Sequence, residues 1–546
     1  MLFINQYFKL IAKKIQDILR RYEKIKIIKC FCLLISFLTI SLFSQAITYY
    51  VDAEKGNDGN NGRSTTTAWK TLHRVSNTQF KPGDRISFRS GQTFNGTLVI
   101  TSSGKKHQPI IFQNYGGKDQ AIIDGRGDSC AVYAYNKSHF QIQNLAITNH
   151  RNSVTKRDIF SGIYIVNENA GQLEHIYFSG IKVFDVNSSH DAWDDGKTDQ
   201  TRYYGGVLFL VKGTKKPSWF TDIKVEQSRF ENLSRTGLNF KSEWSNRTAN
   251  SRFGDSIDVG KKDNWVPWDN IIIRNNIFKK IAGNGLIVRV AKNVLIEKNI
   301  FDSCGEKISG NAVFNFNTDD VVYQYNEAQH TVYNEGDTDA RGIDADYKTK
   351  RTIIQYNYLH DNELGGVTAT GGPGIGADPK NFNIGTIIRY NIFENNKRQG
   401  AYFSGRVEGL QCYNNVFYAD ETCNDVVVIK LNKWQVFPNG AFFKNNIFYF
   451  KGKNTSWFYG SSTNISFNTN IYFGVQPPDV FPDANALIKD PQFTKAGKVY
   501  GYIIKKNSPA LYSGAVIEKS GDSDYYGNKL NKSIKTNIGA YDGTGK

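Results

Sequence analysis

Eight short segments of this 546-residue chain repeat one pattern, in which alternating apolar residues are followed by an asparagine and a second short apolar run, as in IIIRNNIF at 271–278. Successive asparagines are separated by 23, 27, 31, 34, 24, 31 and 24 residues. A short base period with variable additions is typical of a solenoid, in which each repeat is one rung plus its loops. We therefore predict one repeating coil and not a series of separate domains. The aligned residues are Asn276, Asn299, Asn326, Asn357, Asn391, Asn415, Asn446 and Asn470.

Each copy predicts a strand, an asparagine at a tight turn and a second short strand. Asparagine tolerates the left-handed backbone region, and stacked side-chain amides can form hydrogen bonds between rungs. We therefore predict that these asparagines are structural. The 49 Gly, 36 Phe and 30 Tyr, beside only 12 Pro, also favour strands and turns over helices. The expected fold class is all-β.

The repeat resembles the right-handed parallel β-helix of secreted, polysaccharide-active bacterial proteins of the pectate-lyase-like superfamily. The resemblance covers roughly residues 49–545 and extends to the opening segments at 49–62 and 67–75 and the closing motif NIGAYD at 537–542. It implies a single-stranded right-handed parallel β-helix, or solenoid, with an N-terminal helical cap and loop insertions. On this interpretation 47–130 is the cap with the first rungs, 131–475 the β-helix repeats, and 476–546 the closing segment.

The first 46 residues predict an export signal. Eight basic and two acidic residues precede a 14-residue apolar run at 30–43, and Ser44-Gln45-Ala46 is a small-x-small cleavage site. This order is typical of a secretory signal peptide, with an uncleaved signal anchor as the alternative. Cleavage would remove six of the 17 net positive charges and leave +11. We expect a secreted, periplasmic or cell-surface protein with no stable membrane span once the signal is cleaved.

The remaining positive charge predicts the kind of partner. No long Lys/Arg run follows residue 46, so we expect no nucleic-acid partner. An anionic polysaccharide is the better candidate, because the net field of a protein is enough to steer a charged ligand. We expect the protein to act as a monomer.

A second strand in each rung predicts a functional groove. Side chains alternate between the two faces of a strand, so placing the second and fourth residues of each segment inside leaves the third and fifth outside. The outward residues are apolar in the first and last rungs and polar in the middle ones. In rung order the outward pairs are Tyr164/Val166, Leu208/Leu210, Asn239/Lys241, Ile287/Arg289, Val313/Asn315, Asp344/Asp346, Thr368/Thr370 and Phe403/Gly405.

Long insertions flank the polar rungs, roughly at 185–205, 243–269, 327–341 and 371–385. Loops on a rigid scaffold are where binding groups concentrate, and five of the eight tryptophans lie in or near the first two insertions. His330 opens the third insertion and would reach the groove. The predicted substrate-binding residues are Lys241, Arg289, Asn239, Asn315, Thr368, Thr370, Trp244, Trp265, Trp268, His330 and Arg341.

Asp344 and Asp346 are the strongest catalytic candidates. At i and i+2 on one strand, their Cα atoms would lie about 6.6 Å apart on the same side. Two carboxylates this close shift each other's pKa and can divide the roles of acid and base. Asp337 and Asp339 in the preceding loop would complete the pair across a substrate. A Ca²⁺ site is the competing interpretation, because clusters of carboxylate oxygens bind hard cations.

Three functions remain open on this evidence. The first, which we favour, is a glycoside hydrolase that needs no cofactor and in which Lys241 and Arg289 hold anionic groups. The second is a Ca²⁺-assisted polysaccharide lyase acting by β-elimination on uronates. The spacing of Asn315 with Asp344 and Asp346 is similar to the calcium triad of the chondroitinase B and alginate lyase family, although 365–376 lacks the arginine that this family places one rung later. The third is a non-catalytic β-helix for glycan binding or adhesion.

Overall fold

The computed structural model describes residues 12–24, 26, 46–155, 159–189, 204–247, 264–336, 338–372, 382–518, 520–530 and 535–546. The chain forms two compact units, Met1–Ile47 and Thr48–Lys546. In the first unit, residues 12–24 form helix α1. None of the helices within the described ranges is long and apolar enough to cross a membrane.

The second unit contains a short 3₁₀ helix at Thr65–Thr67, helix α2 at Leu72–Ser76, and two parallel sheets. In the described residues the larger sheet has 26 strands: β1 Thr48–Val51, β2 Arg85–Arg89, β4 Leu98–Ile100, β5 Ile110–Tyr115, β7 Cys130–Tyr135, β8 Phe140–Gln143, β10 Ser161–Glu168, β11 Gln172–Ser179, β13 Gly205–Lys212, β14 Trp219–Glu226, β16 Thr236–Ser242, β17 Trp268–Arg274, β19 Leu286–Glu297, β21 Val313–Gln324, β23 Arg341–Ala345, β24 Thr349–Lys350, β25 Ile353–Gln355, β27 Gly365–Thr370, β28 Asn383–Ile384, β29 Ile387–Arg389, β31 Gln399–Ser404, β32 Val407–Tyr413, β34 Val427–Asn432, β35 Asn439–Lys444, β37 Ser456–Phe458 and β38 Thr463–Asn468. The smaller sheet has 14: β3 Thr93–Asn95, β6 Ala121–Asp124, β9 Leu145–Asn149, β12 Lys182–Val186, β15 Arg229–Leu233, β18 Ile277–Ile281, β20 Ile300–Cys304, β22 Glu327–Gln329, β26 Tyr358–His360, β30 Ile392–Glu394, β33 Val416–Ala419, β36 Ile447–Phe450, β39 Ile471–Phe473 and β40 Leu487–Ile488.

Successive rungs stack strand on strand and give the coil three faces. Face 1 contains β4, β7, β10, β13, β16, β23, β27, β31, β34 and β37, with the first halves of β19 and β21. Face 2 contains the remaining strands of the larger sheet, and face 3 is the smaller sheet. Every strand pairs in parallel with the equivalent strand of the next rung. The parallel β-helix predicted from the repeat is confirmed.

The repeated asparagines form a continuous ladder inside the turn between faces 2 and 3. Asn357 Oδ1 accepts hydrogen bonds from the backbone N–H and the side-chain amide of Asn326 at 2.9 and 3.0 Å, and Asn357 donates in the same way to Asn391. The same bonds join all eight asparagines, and Asn470 donates to the carboxylate of Asp483, which closes the ladder. Their predicted structural role is confirmed.

The sequence interpretation placed the ladder asparagine in the left-handed backbone region at each turn. The structure instead places the residue before the asparagine there. Tyr325, Tyr356 and Tyr390 hold φ between 50° and 58° immediately before Asn326, Asn357 and Asn391. This arrangement turns the asparagine side chain into the coil, where its amide is buried and bonded to the neighbouring rungs. Tyrosine adopts this unfavourable backbone conformation because the ladder fixes the turn.

The interior of the coil is an apolar core that runs along the second unit. Phenylalanines stack between rungs in face 3, as in Phe230, Phe278 and Phe301, whose ring centroids are 4.6 and 4.8 Å apart. At the N-terminal end, helix α2 buries Leu72 and Val75 in the same core, which confirms the predicted helical cap. The chain after β40 packs a second apolar cluster on the outer side of face 3.

A column of small residues runs along the start of the face 1 strands from β10 to β31 and fixes their register. A Cβ added at Gly285 would lie 2.6 Å from the carbonyl oxygen of Ala312, the next member of the column. Because Leu286 pairs with Val313 and Val367 pairs with Ala401, the small residues that start these two rungs are Ala312 and Gly400.

The sequence interpretation began these two rungs at Asn311 and Ala401, one residue early and one residue late. A slip of one residue sends every side chain to the opposite face. The predicted outward pairs Val313/Asn315 and Phe403/Gly405 are therefore wrong. Val313, Asn315 and Phe403 point inward, whereas Phe314, Phe316 and Tyr402 lie on the outer side.

Replacing Asn357 by alanine should lower the free energy of unfolding by about 3 kcal/mol, because the backbone N–H of Asn326 and the carbonyl of Tyr323 lose their buried partner. Urea denaturation followed by circular dichroism measures the change. Asn485→Ala removes an exposed asparagine and is the control. Equal midpoints for the two variants would show that the ladder does not hold the rungs together.

Candidate active site

The outward side of face 1 carries one row of side chains in register across eleven strands. In chain order this row, which we call the central row, is Tyr133, Tyr164, Leu208, Asn239, Ile287, Phe314, Asp344, Thr368, Tyr402, Lys430 and Phe458. Asp344 lies near its middle. The register therefore places the Asp344 carboxylate between Phe314 and Thr368.

Asp344 is buried on the central row. Its Oδ2 accepts a hydrogen bond from Asn311 Nδ2 at 3.1 Å, and its Oδ1 has no hydrogen-bond partner among the described residues. Burial raises its pKa well above the usual range, and the charges of Asp346 and Asp339 raise it further. Arg341 and the Asn311 hydrogen bond act in the opposite direction without cancelling these effects. The surroundings of Asp344 therefore favour its protonated form.

Asp346 is half-buried just beyond the end of β23. Its surroundings favour the charged form of a carboxyl group more than those of Asp344 do. Its Oδ1 accepts hydrogen bonds from Thr370 Oγ1 at 2.6 Å and from the backbone N–H of Tyr347 at 2.8 Å. Burial raises its pKa to about 6, with the Thr370 and Tyr347 hydrogen bonds and the charge of Arg289 limiting the rise. The two neighbouring carboxyl groups thus have different environments, and hydrogen bonds to the charged form are more numerous at Asp346.

Asp339 lies close enough to act on both carboxyl groups, since its charge raises the pKa of each. Its Oδ2 accepts a hydrogen bond from Ser309 Oγ at 3.1 Å. Arg341 holds the loop that carries it: Nη1 donates to the Asp339 carbonyl and Nη2 donates to Gln399 Oε1 at 2.7 Å. Arg341 is buried and in these contacts supports the loop, although it was predicted to bind substrate. Asp337 lies outside the described residues.

Aromatic side chains that the sequence interpretation missed form one wall of this cluster. The Arg289 guanidinium carbon lies 5.7 and 5.4 Å from the ring centroids of Phe314 and Phe316. The Phe316 ring contacts Tyr347 at 4.7 Å, and Tyr347 contacts Trp434 at 5.7 Å. Only the correct register reveals this wall, because the slip placed Phe314 inside. The small residue at the start of these strands was the sequence feature from which the correct register could have been predicted.

Asn315 does not join the carboxylates, which corrects both roles predicted for it. Its side chain points into the coil, where Nδ2 donates to Thr318 Oγ1 at 2.7 Å and Oδ1 accepts from Tyr323 at 3.0 Å. The calcium triad of Asn315, Asp344 and Asp346 is therefore not formed. Within the described ranges, no group of three or more His, Cys, Asp or Glu side chains is arranged to hold a metal ion.

The tryptophans predicted to line the groove have structural positions. Trp268 is fully buried in the core, 4.8 Å from the ring of Phe220. Trp244 is also part of the core and donates to the carbonyl of Gly213 at 2.9 Å. Trp265 is half-buried and donates to the carbonyl of Asn317 at 3.3 Å. Burial of their apolar area explains all three positions better than a sugar platform does.

His330 also lies away from the cluster. It follows β22 on face 3, and its Nδ1 lies 3.0 Å from Asp302 Oδ1. The expectation that it reaches the groove is wrong, because faces 1 and 3 are different sheets of the coil.

Four other predicted residues do lie outward on face 1. Asn239 and Thr368 belong to the central row, and the side-chain polar atoms of both are buried without a hydrogen-bond partner among the described residues. Lys241 lies beside Leu210 on β16, three strands before β23, and Thr370 bonds Asp346. Buried polar atoms without hydrogen-bond partners are costly, so these two positions lower the stability of the fold.

Arg247 joins the segments around the cluster and was also missed. It lies at the start of the insertion after β16 and donates to Asp319 Oδ1 at 2.6 Å and to the carbonyl of Lys348 at 2.7 Å. Its guanidinium carbon lies 4.0 Å from the Trp265 ring centroid and 5.3 Å from that of Phe382. Arg247 thus connects the turn after Asp346 with the ends of the insertions at 243–269 and 371–385.

Comparison with known proteins agrees with this architecture. The family described as "Right handed beta helix region" matches residues 221–417. A lacto-N-biosidase from Bifidobacterium longum subsp. longum is 24% identical over 567 aligned positions, which cover 89% of this chain and 34% of that protein. The chain therefore spans about a third of the length of this curated relative.

Two solved structures extend the comparison. The GH136 lacto-N-biosidase from Eubacterium ramulus has a TM-score of 0.59 and 21% identity, with coverage of 73% of this chain and 69% of that chain. XylC in complex with xylose has a TM-score of 0.56 and 12% identity, with coverage of 92% and 99%. The protein is a right-handed parallel β-helix.

Asp346→Asn should raise the stability of the protein near neutral pH. A carboxyl group with a raised folded-state pKa stabilises the fold only while protonated, so wild type loses stability as the pH rises from about 4 to about 6. The variant lacks this loss and should be more stable at about pH 7.5 by on the order of 2 kcal/mol. Melting temperatures across this pH range measure the difference, which should vanish below about pH 4.

Asp320→Asn is the matched control for that measurement. Hydrogen bonds from Arg351 lower the pKa of Asp320, so its removal should give no gain at any pH in the range. An equal gain in both variants would show that the effect is general charge reduction and not the burial of Asp346.

Arg247→Lys should loosen the turn after Asp346, because a lysine keeps the charge but cannot bond Asp319 and the Lys348 carbonyl as a planar fork. Amide hydrogen exchange in a peptide covering residues 346–350 should become about tenfold faster. Arg229→Lys, which changes an exposed pair with Glu231, serves as the control. Unchanged exchange would mean that Arg247 does not hold this turn.

Proposed function

We propose that this protein is a glycoside hydrolase in which Asp344 is the general acid and Asp346 the nucleophile or base. The observation that carries the proposal is the contrast between two neighbouring carboxyl groups on one surface. Asp344 is buried, with its pKa raised well above the usual range, whereas Thr370 and Arg289 favour the charged form of Asp346, whose pKa is about 6. Environments that separate the pKa values of two carboxyl groups are how glycosidases assign acid and base roles.

The chemistry follows from these protonation states. Asp344 donates its proton to the oxygen of the leaving group, and the Asp346 carboxylate attacks the anomeric carbon or removes a proton from the attacking water. The negative charge of Asp339 favours the protonated form of Asp344 and would stabilise the positive charge that develops on the sugar ring. No metal ion is needed for this sequence. The names of the B. longum and E. ramulus relatives, both lacto-N-biosidases, support hydrolysis of a glycosidic bond.

The substrate we propose is an anionic glycan that reaches the protein outside the cytoplasm. Arg289 and Lys241 lie on the same outer surface as the carboxylates, and the chain after residue 46 carries a formal net charge of +11. Arg289 is the better placed of the two, because its charge acts on Asp346. Export by residues 1–46 and a monomeric state belong to this proposal as well.

A lyase is disfavoured by the position of Asn315. A Ca²⁺-assisted β-elimination would need this amide beside the two carboxylates, and it is directed into the coil instead. A non-catalytic glycan-binding role would leave the separated pKa values of Asp344 and Asp346 without a purpose. Both alternatives are distinguished from hydrolysis by the products of the reaction.

Asp344→Asn and Asp346→Asn should each lower kcat/KM by about 10²–10⁴-fold, because each removes one half of the acid–base pair. New reducing ends released from a panel of uronate-containing and neutral glycans measure cleavage. The acidic limb of the wild-type pH profile should lie near 6, where Asp346 becomes protonated.

Asp320→Asn is the control and should keep wild-type activity. Ultraviolet absorbance from an unsaturated uronide in the products would show that the enzyme is a lyase and not a hydrolase. Wild-type rates in both aspartate variants would remove the pair from the mechanism.

A further inference from the structure

We propose that Tyr402, Lys430 and Phe458 form a distal subsite that binds an anionic sugar unit of a glycan chain extending from the carboxylates. These are the last three members of the central row, on the C-terminal side of Asp344. The inference rests on the proposed function in that it assigns this subsite to the same substrate.

The register gives the subsite its direction and distance. Asp344 pairs with Thr368, Thr368 with Tyr402, Tyr402 with Lys430, and Lys430 with Phe458. With neighbouring strands about 4.8 Å apart, Lys430 lies about 14 Å from Asp344 along the coil and Phe458 about 19 Å. An oligosaccharide spans this distance and a single sugar does not.

The side chains have the chemistry of an anionic sugar site. Phe458 is 42% exposed, and its ring offers an apolar face to the C–H side of a sugar. Lys430 Nζ lies 5.9 Å from the ring centroid of Tyr402 and 6.0 Å from that of Phe458, and it forms no ion pair with any described residue. An ammonium group without a carboxylate partner favours a negatively charged substituent.

Hydrogen bonding and packing fix the ring of Tyr402, which lies between Lys430 and the carboxylates on the central row. Asn432 Nδ2 donates to the Tyr402 hydroxyl at 2.9 Å. The Arg341 guanidinium carbon lies 4.3 Å from the centre of the same ring, on which it packs as a cation. The Tyr402 ring is thereby held in place and half-exposed, as a sugar platform needs to be.

Thr368 connects the two ends of the proposed path. It lies between Asp344 and Tyr402, is 1% exposed, and its hydroxyl has no hydrogen-bond partner among the described residues. The central row is therefore continuous in register from Asp344 to Phe458.

The test measures binding by calorimetry in the Asp346→Asn background, where cleavage does not deplete the ligand. The probes are disaccharides and hexasaccharides from polygalacturonate, alginate and chondroitin, with methyl-esterified counterparts that carry no charge. Lys430→Gln should weaken binding of at least one anionic hexasaccharide by about tenfold and leave its esterified counterpart and the disaccharides unchanged. Phe458→Ala should weaken charged and esterified hexasaccharides alike.

Two variants in the closing segment are matched controls: Lys498→Gln makes the same change in charge, and Tyr500→Ala removes an aromatic ring that is 72% exposed. Neither should alter binding. Equal affinity of the Lys430→Gln variant and its parent for every anionic hexasaccharide would overturn the subsite, as would no binding of these probes at all. Binding that depends on Lys430, with no cleavage of any probe by the wild-type protein, would retain the subsite and refute the hydrolase.

Discussion

Hydrogen bonds between stacked rungs set the positions of the side chains on the three faces of this coil. The asparagine ladder fixes the turn between faces 2 and 3, and Asp483 closes it with a carboxylate. On face 1, the small residues at the start of the strands from β10 to β31 allow close backbone contact and fix the register there. Because side chains alternate along a strand, this register decides which residues face solvent and which join the core.

The carboxylate cluster depends on that register and on what surrounds it. Two carboxyl groups at i and i+2 on a strand are common. Here burial raises the pKa values of Asp344 and Asp346, and different hydrogen-bond partners give the two groups different environments. Arg341 holds the loop of Asp339, and Arg247 holds the turn after Asp346. These two arginines hold the segments around the carboxyl groups, so the cluster depends on parts of the chain that are distant in sequence.

The sequence was sufficient for much of this. The period of the asparagines predicted the coil, and the alternation predicted that Asn239, Arg289, Asp344, Thr368 and Thr370 lie outward. It failed at Asn315 and Tyr402, where one-residue errors in placing a rung reversed inside and outside. It also failed for the tryptophans, because aromatic composition does not distinguish a ring that fills the core from one that offers its face to a ligand.

By itself the amino-acid sequence determined the repeating architecture and the two central aspartates, because a period of hydrophobicity and a strand alternation are local properties that neighbouring residues encode. Only the tertiary structure decided which polar residues meet. The partners of Asp344 and Asp346 come from Asn311, Asp339, Thr370 and Arg289, on different rungs or loops. Whether these groups approach, and how far burial shifts a pKa, depends on how rungs of unequal length stack, which no local pattern records.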